Sequence, residues 1–69
     1  MTIRQREIAI TALAIEKPGI TEIQIAHTLT LSAEQVRLSC LSLCHRGVIE
    51  VDGLGFRRRQ SVVRAWRAS

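Results

Sequence analysis

Apolar residues recur with helical spacing over the first two thirds of the chain, and polar residues mark where each helix begins. A hydroxyl residue followed three positions later by glutamine occurs at Thr2 with Gln5, Thr21 with Gln24 and Ser32 with Gln35. This spacing is typical of a capping box, in which the two side chains bond the free backbone amides of a helix start. The pattern therefore predicts three helices, over about 3–17, 22–29 and 32–46.

The third helix has the clearest limits. Ser32 caps its start, and Gly47 is a natural stop. Only Thr30 and Leu31 separate it from the second helix, which is as short a connection as helix-turn-helix units use. A helical wheel anchored at Val36 turns two further residues, Cys40 and Leu43, inward and turns Glu34, Leu38, Leu41 and His45 outward.

After Gly47 the pattern changes to that of strands. Residues 48–51 are mostly β-branched, 52–55 have the chemistry of a turn, and 60–66 return as a second strand. The arginine-rich stretch 56–59 is expected near the tip of this hairpin or at the start of its return strand. Three short helices followed by a basic β-hairpin predict an α+β fold, a winged helix-turn-helix with a two-stranded wing, as a single domain over 1–69.

Charge narrows the class of partner. Ten Lys and Arg against six Asp and Glu give a net charge of +4, and nine of the ten basic residues are arginine. Five arginines and no acidic residue fall in the last thirteen positions. Arginine presents a planar fork that suits phosphates and guanine edges, so this composition favours double-stranded DNA as the partner.

Several apolar and glycine positions are spaced as in bacterial winged-helix regulators: Ile25, Ala26, Leu29, Leu31, Ser32, Val36, Leu43, Gly47, Val48 and Ile49. Gln35 to Leu38, Leu41, Leu43, Gly47 and the late Trp66 further resemble the small fimbrial-operon regulators of the FaeA/PapI-like family. That resemblance implies transcriptional control of an adhesin operon, with Arg37 on the reading helix, alongside a leucine-responsive global regulator. A phage or plasmid repressor of the same fold would show almost the same pattern.

The candidate DNA contacts lie on the third helix and in the arginine-rich stretch. In a reading helix the N-terminal half meets base edges, where Arg pairs with guanine, Gln with adenine and Glu with cytosine, and Leu touches the thymine methyl. Arginines of a wing neutralise phosphates or enter a minor groove. The expected DNA-binding residues are Glu34, Gln35, Arg37, Leu38, Ser42, Arg57, Arg58 and Arg59.

Two outward leucines, Leu38 and Leu41, need a cover, because adjacent exposed leucines lower solubility. With Ile10 and Leu13 they could form a surface for a homodimer or a co-regulator; alternatively they belong to the core. Ile10 and Leu13 lie nearly opposite the face that carries Ile8, Ala12 and Ile15, so the first helix is apolar on two sides. The competing hypothesis is a winged-helix adaptor that binds protein through this surface.

Other chemistry is disfavoured. Cys40 and Cys44 lie one helical turn apart with His27 and His45 as the chain's histidines, but no Cys-x-x-Cys pair supports a metal site. Two unpaired thiols are typical of a reducing compartment, so a cytoplasmic location is expected. No catalytic constellation, cofactor motif, small-molecule site or membrane-spanning segment is evident, and an enzyme is not expected.

Overall fold

The computed structural model describes residues 1–60. They form a small α+β unit with three helices and a three-stranded antiparallel sheet. The elements in chain order are α1 (Ile3–Glu16), β1 (Ile20–Thr21), α2 (Glu22–Leu29), α3 (Ala33–His45), β2 (Ile49–Asp52) and β3 (Gly55–Arg58). The predicted α+β class and the three predicted helices are confirmed.

Each helix begins with the capping box that its sequence predicts. In α1 the backbone amide of Gln5 donates to Thr2 Oγ1 at 3.1 Å, and the amide of Thr2 donates to Gln5 Oε1 at 2.9 Å. The same reciprocal bonds start α2 and α3. The end of α3 is equally defined, because Gly47 adopts a φ of 75° and its amide donates to the carbonyl of Cys44.

The sheet corrects two predictions. It has three strands in the order β1-β3-β2, so β1 adds to the two-stranded hairpin that was expected. The return strand begins at Gly55, whereas residues 60–66 were predicted; positions 61–66 lie outside the described residues. Gly55 accounts for the added strand: a Cβ there would overlap the carbonyl oxygens of Gly19 and Ile20, so only glycine lets β3 pair this closely with β1.

The core is aliphatic, and nearly every element contributes to it. The buried apolar residues are Ile10, Ala14, Ile20, Ile25, Val36, Cys40, Leu43 and Ile49. The prediction that Ile10 forms part of a partner surface is therefore wrong, because Ile10 is fully buried. Leu13, predicted for the same surface, is partly buried and packs against the core. Both sides of α1 are apolar. The side that carries Ile10 packs into the core, and the side that carries Ile8 faces solvent.

Two polar contacts hold α1 against α3. The Nε of Arg6 donates to Ser39 Oγ at 2.6 Å, which satisfies a buried hydroxyl. Glu7 accepts from the Nη2 of Arg46, also at 2.6 Å. These contacts fix how the outer face of α1 is oriented relative to the C-terminal turn of α3. Across residues 1–60, no helix combines the length and apolar character needed to cross a membrane.

Candidate nucleic-acid interface

Along its whole length, α3 has one face in the core and the other in solvent. Val36, Cys40 and Leu43 are buried, as the helical wheel predicts, and this fixes the rotation of the helix. Leu38 and Leu41 are consequently 57% and 55% exposed. The alternative that these two leucines belong to the core is wrong.

Arg37 is the one arginine on this outward face before the last turn of α3. Its Nε lies 3.7 Å from Glu22 Oε2, and its side chain is largely exposed. An exposed ion pair at this distance is worth at most about 1 kcal/mol. The guanidinium can therefore exchange Glu22 for a stronger partner, such as a phosphate or the edge of a guanine.

The polar neighbours of Arg37 differ in whether a hydrogen bond within the chain already engages their side chains. The Oε1 of Gln35 accepts from the amide of Ser32 at 3.0 Å, so the cap holds this oxygen near the backbone while the amino group remains available to another partner. Glu34 is exposed in the first turn, where the positive end of the helix dipole favours its charge. Ser42 is exposed one and a half turns beyond Arg37. This face thus offers one cation, one carboxylate and short polar groups.

The three consecutive arginines of the second region are not equivalent. Arg57 lies opposite Glu50 in the β2–β3 register, and its Nε and Nη2 donate to Glu50 Oε2 at 3.1 and 2.9 Å. This hydrogen-bonded pair raises the pKa of Arg57 and offsets its charge. Within residues 1–60, Arg58 and Arg59 form no ion pair. Arg58 and Arg59 therefore carry the cationic charge available at this end of β3.

These arginines lie at the end of β3, at the base of the hairpin, whereas the sequence predicted a position near its tip or at the start of the return strand. The turn consists of Asp52 to Gly55, with Leu54 94% exposed. Arg58 pairs with Ile49 at the other end of β2, and the amide of Arg59 donates to the carbonyl of Val48. The arginines face the end of α1 across a cleft of about 440 Å³, lined by Ala14, Ile15, Pro18, Arg57, Arg58, Arg59 and Gln60.

The thiols of α3 have the properties of core groups. Burial raises the pKa of Cys40 to about 12, with smaller contributions from Cys44 and Glu22. Burial also raises the pKa of Cys44. Both thiols are free, and over the described range no three His, Cys, Asp or Glu side chains converge to hold a metal ion. A protonated, buried thiol is a poor nucleophile and a poor metal ligand.

Three residues that contribute to these regions were not predicted from the sequence. Glu22 pairs with Arg37, and Glu50 pairs with Arg57. The glutamates precede their partners by fifteen and seven positions, and neither spacing predicts a pair from the sequence alone. Leu54 could have been found, because a leucine between two glycines of a turn must point outward.

Comparison with protein-family models, curated proteins and solved structures gave no match to this chain. Its function is therefore inferred from the geometry of its own residues.

Proposed function

We propose that this chain is a DNA-binding transcriptional regulator with a winged-helix-turn-helix fold. In this proposal α3 enters the major groove and the sheet lies beside the sugar-phosphate backbone. The observation that carries the proposal is the outward N-terminal half of α3, which the capping box and three buried side chains hold in one orientation. Such a face presents side chains to base edges without first having to order them.

Base contacts come from the start of α3. Arg37 leaves its weak pair with Glu22 and bonds the O6 and N7 of a guanine. The amino group of Gln35 reaches an acceptor on a purine, Glu34 accepts from the amino group of cytosine, and Leu38 contacts a thymine methyl. One arginine and one short apolar contact give modest sequence discrimination, so a second site or a second protein is needed for a useful operator.

Phosphate contacts come from Arg58 and Arg59. Arg57 contributes less, because the carboxylate of Glu50 already holds its guanidinium at two nitrogens. This differs from the sequence-based expectation, in which all three arginines act alike. A contact with one phosphate displaces counterions and steepens the salt dependence of binding by about 0.9 in log K per log salt.

The choice of a target operon depends only on the sequence resemblance to bacterial winged-helix regulators. A FaeA/PapI-like regulator would act on a fimbrial or adhesin operon with a co-regulator, and a phage or plasmid repressor would act on its own promoter. Both classes read duplex DNA with the same elements, so the residues proposed above serve either.

The test is fluorescence anisotropy with the DNA upstream of the gene and with a random duplex, over a salt series. We expect Arg37→Ala to weaken binding to the upstream DNA by about 1–3 kcal/mol and to leave random-duplex binding less affected. The double variant Arg58→Ala, Arg59→Ala should lower the salt slope by about 1.8 on both duplexes. Arg57→Ala is the matched control and should change the slope by much less than 0.9.

The proposal fails if the wild-type protein does not bind duplex DNA at low salt. It also fails if Arg37→Ala and the double variant bind like the wild type. A slope that falls equally for Arg57, Arg58 and Arg59 would keep DNA binding but remove the assigned difference among the arginines.

A second candidate function is a winged-helix adaptor that binds a protein. The observation that favours it is the adjacent exposure of Leu38 and Leu41 on α3. An adaptor predicts no duplex binding in the salt series, and loss of partner binding in the variant Leu38→Ser, Leu41→Ser. A DNA regulator predicts that this variant retains its salt slope, since neither side chain bears charge.

A further inference from the structure

An arginine of α1, Arg6, is held against the side of α3. Its Nε donates to Ser39 Oγ at 2.6 Å, and Ser39 is only 2% exposed. Arg6 is itself half-buried. Within residues 1–60, its two terminal nitrogens, Nη1 and Nη2, make no hydrogen bond. The bond to Ser39 therefore orients the guanidinium and leaves its outer edge available to a ligand.

The charge of Arg6 suits an anionic ligand. No carboxylate of residues 1–60 pairs with it, because its neighbour Glu7 pairs with Arg46 at 2.6 Å. The first turn of α1 holds no acidic residue, whereas the first turns of α2 and α3 hold Glu22 and Glu34. Guanidinium groups with free donors bind phosphate and carboxylate oxygens through paired hydrogen bonds, so the ligand that fits Arg6 is an anion of this kind.

The position of Ser39 on α3 indicates which anion lies within reach. Ser39 lies four residues after Gln35 and three before Ser42, and this spacing places all three on one side of α3. Arg37 lies on the opposite side, because two residues turn a helix by about 200°. A helix in the major groove, which is about 12 Å wide, has a phosphate strand on each side. With α3 in the groove, Arg6 lies beside one of these strands, across α3 from Arg37.

We propose that Arg6 binds a phosphate of the DNA backbone and that Ser39 is the residue that positions it. This inference rests on the proposed function and adds α1 to the elements that contact DNA. An unrestrained arginine loses rotamer freedom when it binds a phosphate, and that loss weakens the contact. Because Ser39 already restricts Arg6 in the free protein, less of this entropy is lost on binding.

The test adds variants of Arg6 to the salt series with the upstream DNA and the random duplex. Arg6→Gln removes the charge but keeps an amide donor for Ser39, and it should lower the salt slope by about 0.9 on both duplexes. Arg4→Gln is the matched control, because it removes the same charge from an exposed position of α1, and it should change the slope by much less. Urea denaturation checks that each variant is folded.

A second set of variants separates positioning from charge. Ser39→Ala should weaken DNA binding about three- to tenfold, the effect of ordering one long side chain, with the salt slope of the wild type. In the Arg6→Gln background the same change should have no further effect on affinity. A purely structural role of Ser39 predicts equal weakening in both backgrounds, and that result would overturn its assignment as the positioning residue.

The ways in which this inference and the proposed function can fail are distinguishable. A wild-type protein that binds no duplex at low salt overturns the proposed function and this inference with it. If the wild type binds DNA but Arg6→Gln keeps the wild-type slope, or Arg4→Gln lowers the slope equally, the phosphate contact of Arg6 alone is overturned.

Discussion

The elements α3 and β3 carry the two sets of candidate DNA contacts, and they are held in different ways. α3 begins at its own capping box, and its helical period decides which side chains face outward, although Arg37 on that face also pairs with Glu22 of α2. β3 is the central strand, and each of its side chains faces a neighbour set by the register. Which residues a helix face presents can therefore be predicted from local sequence, whereas the pairing of charges on β3 depends on the strand beside it.

The strongest test of how β3 is held is Gly55→Ala. Its Cβ would overlap the backbone carbonyls of Gly19 and Ile20, and we expect a loss of about 3 kcal/mol in the free energy of unfolding. Urea denaturation followed by circular dichroism measures it. Gly53→Ala is the control: φ is also positive at 64° but no atom lies within 4 Å, so only about 1 kcal/mol should be lost. Equal losses would show that close strand approach does not hold β3.

A buried thiol of α3 should lower the free energy of unfolding at alkaline pH. The pKa of Cys40 is raised from 9.0 to about 12 by burial, so the unfolded chain loses this proton first. Stability is then fully present below pH 9 and declines as the pH rises toward 12, by at most about 1.4 kcal/mol per pH unit. Urea denaturation at pH 8 and 10 measures the decline, and Cys40→Ala should remove most of it, leaving the smaller contribution of Cys44. A decline of the same size in that variant would assign it to other groups.

A smaller effect is expected at the start of α3. Ser32→Ala removes the acceptor of the Gln35 amide and should cost about 1 kcal/mol in the free energy of unfolding. Ser42→Ala, in the exposed helix interior, should be neutral or slightly stabilising. If the two variants are equally stable, the capping box does not stabilise the start of α3. The proposed difference between a locally held α3 and a neighbour-held β3 would then be wrong.

The smallest effect concerns the pair on the sheet. Glu50→Gln frees the guanidinium of Arg57, and we expect the salt slope of DNA binding to steepen by up to about 0.9, with less than about 1 kcal/mol change in stability. Glu16→Gln makes the same change in net charge on α1 and should leave the slope unaltered. Equal slopes in both variants would show that Glu50 does not restrain Arg57.

The helices could be predicted from the sequence because their limits are local. A hydroxyl residue and a glutamine three positions later bond each other across one turn, so Ser32 and Gln35 need no distant residue to start α3. The inward rotation of Cys40 and Leu43 follows from periodicity for the same reason.

The sheet could not be predicted as well, since pairing joins distant positions. Ile20 and Thr21 form β1 but are only two residues long, and Thr21 also caps α2, so the sequence shows the cap and hides the strand. For α1, two apolar faces satisfy the helical period equally, and only packing decides that Ile10 goes inward and Ile8 outward.

The three capping boxes use glutamine where glutamate would serve equally well as an acceptor. An amide side chain carries no charge at any ordinary pH, so the reciprocal bonds at the three helix starts persist in acid. The hydrogen bonds that begin α1, α2 and α3 are therefore independent of pH, which glutamate at the same three positions would not allow.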